Sequence, residues 1–277
     1  MHLKLRIEYD GTGFLGSQLQ ADSKGRTVQG ELERALERLA GGPVRSSLAG
    51  RTDTGVHARG QVASLDFPER NRLDTPEAVQ KALNAILPRD VAVTAAENAP
   101  EGFHARFSAR KRAYRYLIWN APEPAPLIAR YSLYVRRRID TEAMARAALM
   151  LVGEKDFAAF AGRGMGVPHE DVEDVERPST VRTVYLSRLV RVPSETNFWT
   201  WDEAGSRQTQ ASRLFALDLV ANAFLPNMIR NIVGTLLEIG SGKREAADME
   251  AILESKDRRK SGPTARPHGL CLLWVEY

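Results

Sequence analysis

The 277-residue chain has one cysteine, Cys271, so no intramolecular disulfide can form, and the sequence fits a reducing compartment. Cys271 sits in the apolar run Leu270-Cys271-Leu272-Leu273-Trp274-Val275, which reads as a buried structural thiol rather than a nucleophile. The five histidines (His2, His57, His104, His169, His268) are scattered, and no two have metal-ligand spacing. No metal site is expected. No uncharged apolar run approaches the length of a bilayer span, and Lys4, Arg6 and Glu8 interrupt the start of the chain where a signal peptide would need an apolar core. A cytoplasmic protein without a membrane partner is expected. Lysine is also scarce: Arg outnumbers it 31 to 8.

The composition is otherwise that of a globular protein, 43% hydrophobic and 27% charged, which excludes bulk disorder. Arginine offers phosphates a planar fork and bases a stacking face; a GC-rich genome also favours its codons. Position separates the two readings. From His104 to Arg138 there are nine cations (Arg106, Arg110, Lys111, Arg112, Arg115, Arg130, Arg136, Arg137, Arg138) and one acid, Glu123. That stretch carries +8 of a chain whose net charge is +4, leaving −4 elsewhere. Tyr114, Tyr116, Trp119, Tyr131 and Tyr134 are interleaved with it. Such a strip suits a polyanion with stackable bases, as well as an ordinary solvated face.

Hydrophobic period gives the elements. Leu3, Leu5, Ile7 and Tyr9 alternate with polar residues as a half-buried strand. Thr27 is placed to cap a helix ending at Gly41-Gly42-Pro43, and strands follow at 44–49 and 61–67. Thr75-Pro76 opens a second helix, and Val91 a further strand. The order is β-α-β-β-α-β. The second half reads as a repetition: a strand at 114–119, a helix capped by Thr141, strands at 181–192 and 213–222, a helix over 228–240, a helix at 245–254, and a last strand at 270–276. The expected fold is α+β, two ferredoxin-like halves sharing a largely antiparallel sheet, with domains at 1–107 and 108–277. The segments 162–178, rich in acid, and 193–211 read as surface elaborations; the acidic one is expected to point away from a polyanion.

Two motifs mislead. Gly11-Thr12-Gly13-Phe14-Leu15-Gly16 matches a dinucleotide fingerprint, but the next helix begins some ten residues later and Asp10 would repel phosphate, so no nucleotide cofactor is expected. Asp53-Thr54-Gly55 resembles an aspartic-protease motif. That chemistry needs a protonated partner carboxyl, whereas Arg51 beside Asp53 favours the ionised form. By itself, an Asp between two strands is a turn residue.

Several ordered segments together say more. Tyr9-Asp10-Gly11-Thr12, Arg26-Thr27-Val28-Gln29-Gly30-Glu31-Leu32-Glu33, Gly50-Arg51-Thr52-Asp53 through His57-Ala58, Phe103-His104-Ala105-Arg106-Phe107-Ser108-Ala109, Tyr114-Arg115-Tyr116, Met228-Ile229-Arg230-Asn231-Ile232-Val233-Gly234 and Gly269-Leu270 run through nearly the whole chain. In this the sequence resembles the tRNA pseudouridine synthase A family. One position departs: Ser17 stands where that family usually has an aromatic before the Gln.

The resemblance implies isomerisation of uridine to pseudouridine in the anticodon stem-loop of tRNA, at tRNA positions 38 to 40, by a homodimer and without a cofactor. It assigns the reacting carboxylate to Asp53 and the cation holding it ionised to Arg230, the sole cation in 214–242. It gives Tyr114 the face against the extruded base, with a part in removing the C5 proton. Arg51 would open the stem or hold phosphate, and Arg106, Arg110, Lys111 and Arg112 would follow the tRNA backbone. The alternative is a non-catalytic RNA-binding protein on a tandem ferredoxin-like scaffold, which would have no use for a carboxylate in an RNA groove.

Overall fold

In the computed structural model, which describes residues 1–19, 25–68, 73–162, 179–193 and 213–277, the alternation of the first residues becomes strand β1 (His2–Tyr9). Leu3, Leu5, Ile7 and Tyr9 point into the core. The expectations for 162–178 and 193–211 lie, but for their end residues, outside the described residues. The chain divides into two compact units. One comprises Met1–Tyr114 with Cys271–Tyr277, the other Arg115–Leu270.

In the first unit, α1 (Val28–Ala40) follows β1, then β2 (Ser46–Leu48), β3 (His57–Asp66), α2 (Pro76–Ile86) and β4 (Val91–Asn98). Thr27 and Thr75 cap the two helices by accepting from the N–H groups of Gly30 and Ala78. Gly41, at φ 70°, ends α1 in the left-handed conformation. Val28, Leu32 and Leu36 of α1 are fully buried; each such side chain stabilises the packing by about 1.5–3 kcal/mol. β1 lies between β3 and β4, antiparallel to both, and β2 pairs antiparallel with β3. The last strand, β10 (Leu270–Glu276), runs parallel to β3, with Cys271 opposite His57 and Leu272 opposite Ala58.

Strand β5 (Lys111–Asn120) begins in the first unit and ends in the second, which continues with β6 (Leu133–Val135), α3 (Thr141–Leu149), β7 (Gly153–Asp156), β8 (Val181–Arg191), β9 (Leu214–Ala221), α4 (Met228–Gly240) and α5 (Asp248–Ser255). Its strands lie in the order β5, β9, β8, β7, with β6 parallel to β5. β7, β8 and β9 are antiparallel neighbours. The cap of α3 is Asp140, not Thr141: its carboxylate accepts from the N–H groups of both Glu142 and Ala143. The molecule is thus mixed α+β, with mostly antiparallel strands and five helices among the described residues. No described helix is long and apolar enough to cross a membrane.

Candidate active site

The Asp53 loop connects β2 to β3, and its order comes from residues on either side of the aspartate. Ser17, with no exposed surface, binds Thr52 twice. Its N–H donates to the Thr52 carbonyl at 3.0 Å, and its Oγ accepts from the Thr52 N–H at 2.8 Å. The Thr52 hydroxyl lies 2.8 Å from the Tyr9 hydroxyl at the end of β1. Gln61 of β3 donates to the Gly50 carbonyl at 2.9 Å, and Arg112 donates to the Ala49 carbonyl at 3.0 Å. On the far side, the Val56 N–H closes a turn onto the Asp53 carbonyl. The loop is gripped on both flanks, with Asp53 between them and half-buried.

Two glycines let the 10–17 segment come this close. A Cβ on Gly11 would collide with the Val56 carbonyl. Gly16 has φ 105°, and a Cβ there would stand 2.9 Å from the Thr52 carbonyl. Gly11 and Gly16 of the fingerprint-like run therefore serve packing against the Asp53 loop. Nδ1 of the buried His57 accepts from the Gly11 N–H at 3.0 Å and lies 3.2 Å from an Asp10 carboxylate oxygen. That same oxygen accepts from the N–H and hydroxyl of Thr12. Arg26 braces the segment: it forks onto Asp90, bonds Glu31, and lies 4.6 Å from the Phe14 ring centre.

Tyr114, with 7% of its surface exposed, is within electrostatic reach of Asp53, Tyr9, Arg112 and Cys271. Burial above all pushes its phenol far up from the ordinary tyrosine value; Tyr9 and Asp53 push the same way, and Arg112 opposes them. Burial also drives Tyr9 up to about 12, against hydrogen bonds from Thr52 and Gln61. At neutral pH both phenols are protonated. Tyr114 therefore offers a ring face and an O–H, not a phenolate.

The four cations expected along an RNA backbone divide. Arg106 and Arg110 are exposed. Lys111 pairs with Glu276 at 2.8 Å. Arg112 turns inward, bridging the carbonyls of Ala49 and Arg106, and burial lowers its pKa. It is a brace for the Asp53 loop. Arg51 is exposed at that loop. Arg230 belongs to the other unit. There its Nε donates to the Ala265 carbonyl and its Nη1 to the Asn227 side chain, while the neighbouring Asn231 is wholly buried and bonded to the Phe160 carbonyl, Arg258 and Thr264. Sequence reasoning passed over Ser17, Gln61 and His57. Ser17 is visible in the sequence only as a departure from the family pattern, and its two bonds to Thr52 exist only once the loop is folded.

A polar loop holding one carboxylate beside a buried tyrosine is the setting for acid–base or nucleophilic chemistry on a base that has left its stack. The family model described as tRNA pseudouridine synthase matches residues 6–108 and 147–277. The chain belongs to that family. It is 43% identical over 276 residues to the tRNA pseudouridine synthase A of Roseiflexus sp. (strain RS-1), covering 100% of this chain and 90% of the relative. It is 39% identical over 275 residues to that of Moorella thermoacetica, covering 99% of each, and 38% identical over 273 residues to that of Neisseria gonorrhoeae, covering 99% of this chain and 91% of the relative.

Proposed function

We propose that the protein isomerises uridine to pseudouridine in tRNA, in the anticodon stem-loop at tRNA positions 38 to 40, with Asp53 as the reacting carboxylate. The observation that carries this reading is the double grip on the Asp53 loop beside Tyr114, taken with the family match along the chain. In the reaction the bond from N1 to the sugar C1′ breaks and the freed uracil turns. A bond then forms from C5 to C1′, C5 gives up its proton, and N1 gains one. No electrons are exchanged with an outside partner, so the isomerisation calls for no cofactor. Asp53 either adds covalently to sugar or base, or takes the sugar proton next to C1′. Tyr114 faces the turning uracil, and its protonated hydroxyl suits it to hold a uracil oxygen. Removal of the C5 proton by Tyr114 would require a transient phenolate. Arg230 is assigned as the cation of the reaction on the family likeness alone. Arg51, Arg106 and Arg110 bind tRNA phosphates, with Lys111 as a weaker contributor and Arg112 as a brace.

A homodimer in the cytoplasm is part of the same proposal. So is the reading of residues 1–107 and 108–277 as two ferredoxin-like domains. The order β4-β1-β3, with β2 on β3 and helices after β1 and β3, supports the first, and β5 beside β9 and β8, with α3 and α4, the second.

The assay is release of tritium from C5 of labelled uridine in an in vitro transcribed tRNA. Wild-type protein releases label and converts the uridines of the anticodon stem-loop. A wild type that binds this tRNA and releases none would instead be the RNA-binding protein of the alternative reading.

A further inference from the structure

Phe107 is the most exposed large apolar side chain among the described residues, at 77%. Single exposed hydrophobes are common and need no purpose; this one is distinguished by how firmly it is held. The turn that carries it is closed by four internal bonds. The Ser108 N–H donates to the His104 carbonyl at 2.9 Å, and the His104 N–H to Ser108 Oγ at 3.1 Å. His104 Nδ1 accepts from the N–H groups of Arg106 and Phe107 at 3.2 and 3.4 Å. Ala105, at the centre of the turn, is buried and fastened on both sides, its N–H to Ser64 and its carbonyl to the Tyr277 hydroxyl, each at 3.0 Å. It packs in one cluster with Ala49, the residue where the Asp53 loop begins. The Arg112 guanidinium bonds the carbonyls of both Ala49 and Arg106, so the Phe107 turn and the Asp53 loop are fixed to each other.

The ring's surroundings point to what it meets. The His104 imidazole stacks on it, with centres 4.4 Å apart and planes 31° apart. The Arg106 guanidinium lies 5.7 Å from its centre. Arg106 and Arg110 beside it are exposed cations. An aromatic ring backed by a second ring and flanked by guanidinium groups matches a nucleobase on its phosphate chain better than an apolar protein surface, because the cations would have to be desolvated against the latter. We propose that Phe107 is a stacking platform for an unpaired base of the substrate RNA, a base other than the reacting uridine. The rigid turn sets where that base rests relative to Asp53, and so helps choose which uridine is presented.

The proposal rests on the reading of the protein as a tRNA-modifying enzyme, and the experiment keeps the two apart. Full-length wild type, Phe107→Ala, Phe107→Leu and Phe107→Trp are compared on the C5-tritiated tRNA transcript, by filter binding and by tritium release. Phe107→Ala and Phe107→Leu should weaken tRNA binding by about 5- to 150-fold, the range for removal of one base stack. Phe107→Trp should retain wild-type affinity, and the salt slopes should stay parallel because no charge is removed. Unfolding midpoints should be unchanged for so exposed a side chain. If Phe107→Ala binds like wild type, or Phe107→Leu restores binding, no base stacks there. If Phe107→Ala instead alters the sedimentation-derived mass, the ring belongs to a contact between copies and the platform is overturned. Absence of tritium release by wild type would refute the enzymatic reading, while the binding comparison would still decide the fate of the platform.

Discussion

Ser17 and Tyr9 both bond Thr52, the residue before Asp53. Ser17→Ala leaves the buried Thr52 N–H without its acceptor. An unsatisfied buried donor costs about 1–3 kcal/mol, so chemical denaturation should reveal a loss of that size. Turnover should fall more than tRNA affinity, because the carboxylate loses its fixed position while the exposed arginines keep theirs; equal losses in both would mean Ser17 matters only to folding. Tyr9→Phe removes the bonds that the phenol shares with Thr52 and Gln61, each worth about 0.5–1.5 kcal/mol, and it changes the response to base. In the folded state burial raises Tyr9 to about 12 and Tyr114 also moves up from 10. Both therefore favour folding fully below pH 10, and that contribution is lost as pH rises from 10 through the folded values. The unfolding midpoint of wild type should drop across that alkaline window, and Tyr9→Phe should drop less steeply. Parallel profiles would place Tyr9 in contact with solvent.

At the scale of elements, the sequence discloses what repeats with a period and hides what depends on partners. Leu3 to Tyr9, the α1 stripe and the apolar face of α4 announce themselves because each side chain's burial follows from its position in a strand or helix. β6 and β7 do not. They are three and four residues long, and Gly153-Glu154-Lys155-Asp156 is too polar to alternate. β7 exists because β8 offers it a backbone to pair with. At α3 the sequence suggests Thr141 as the cap, but Asp140 sits one residue earlier and reaches two amides at once. Asp53 becomes a candidate through the order of whole segments, since a lone aspartate between strands carries no signal. Arg112 is expected along the RNA backbone and bonds the Ala49 and Arg106 carbonyls; nothing in a linear string says which cation in Arg110-Lys111-Arg112 turns inward. Thr27→Ala tests the α1 cap; it should lower stability by about 1 kcal/mol, and an unchanged thermal midpoint would show that the Thr27 hydroxyl does not hold the helix end.

Across the molecule, the modest net charge of +4 conceals +8 between His104 and Arg138. Arg106, Arg110, Arg136 and Arg137 of that stretch are exposed, whereas Arg115 forks onto Asp218, and Lys111 pairs with Glu276. Replacing Arg106 and Arg110 by Ala should flatten the dependence of log affinity on log salt by about one for each phosphate that is no longer neutralised. Lys111→Ala should move it less. Equal slopes for wild type and the double variant would take those two arginines off the RNA. The proposed reaction depends on one carboxylate, Asp53, held in a gripped loop. The direct test is tritium release from C5-labelled tRNA by Asp53→Asn, which keeps the side chain's shape and removes its charge. If Asp53 is the reacting group, Asp53→Asn binds tRNA and releases no label; release at the wild-type rate would contradict that role.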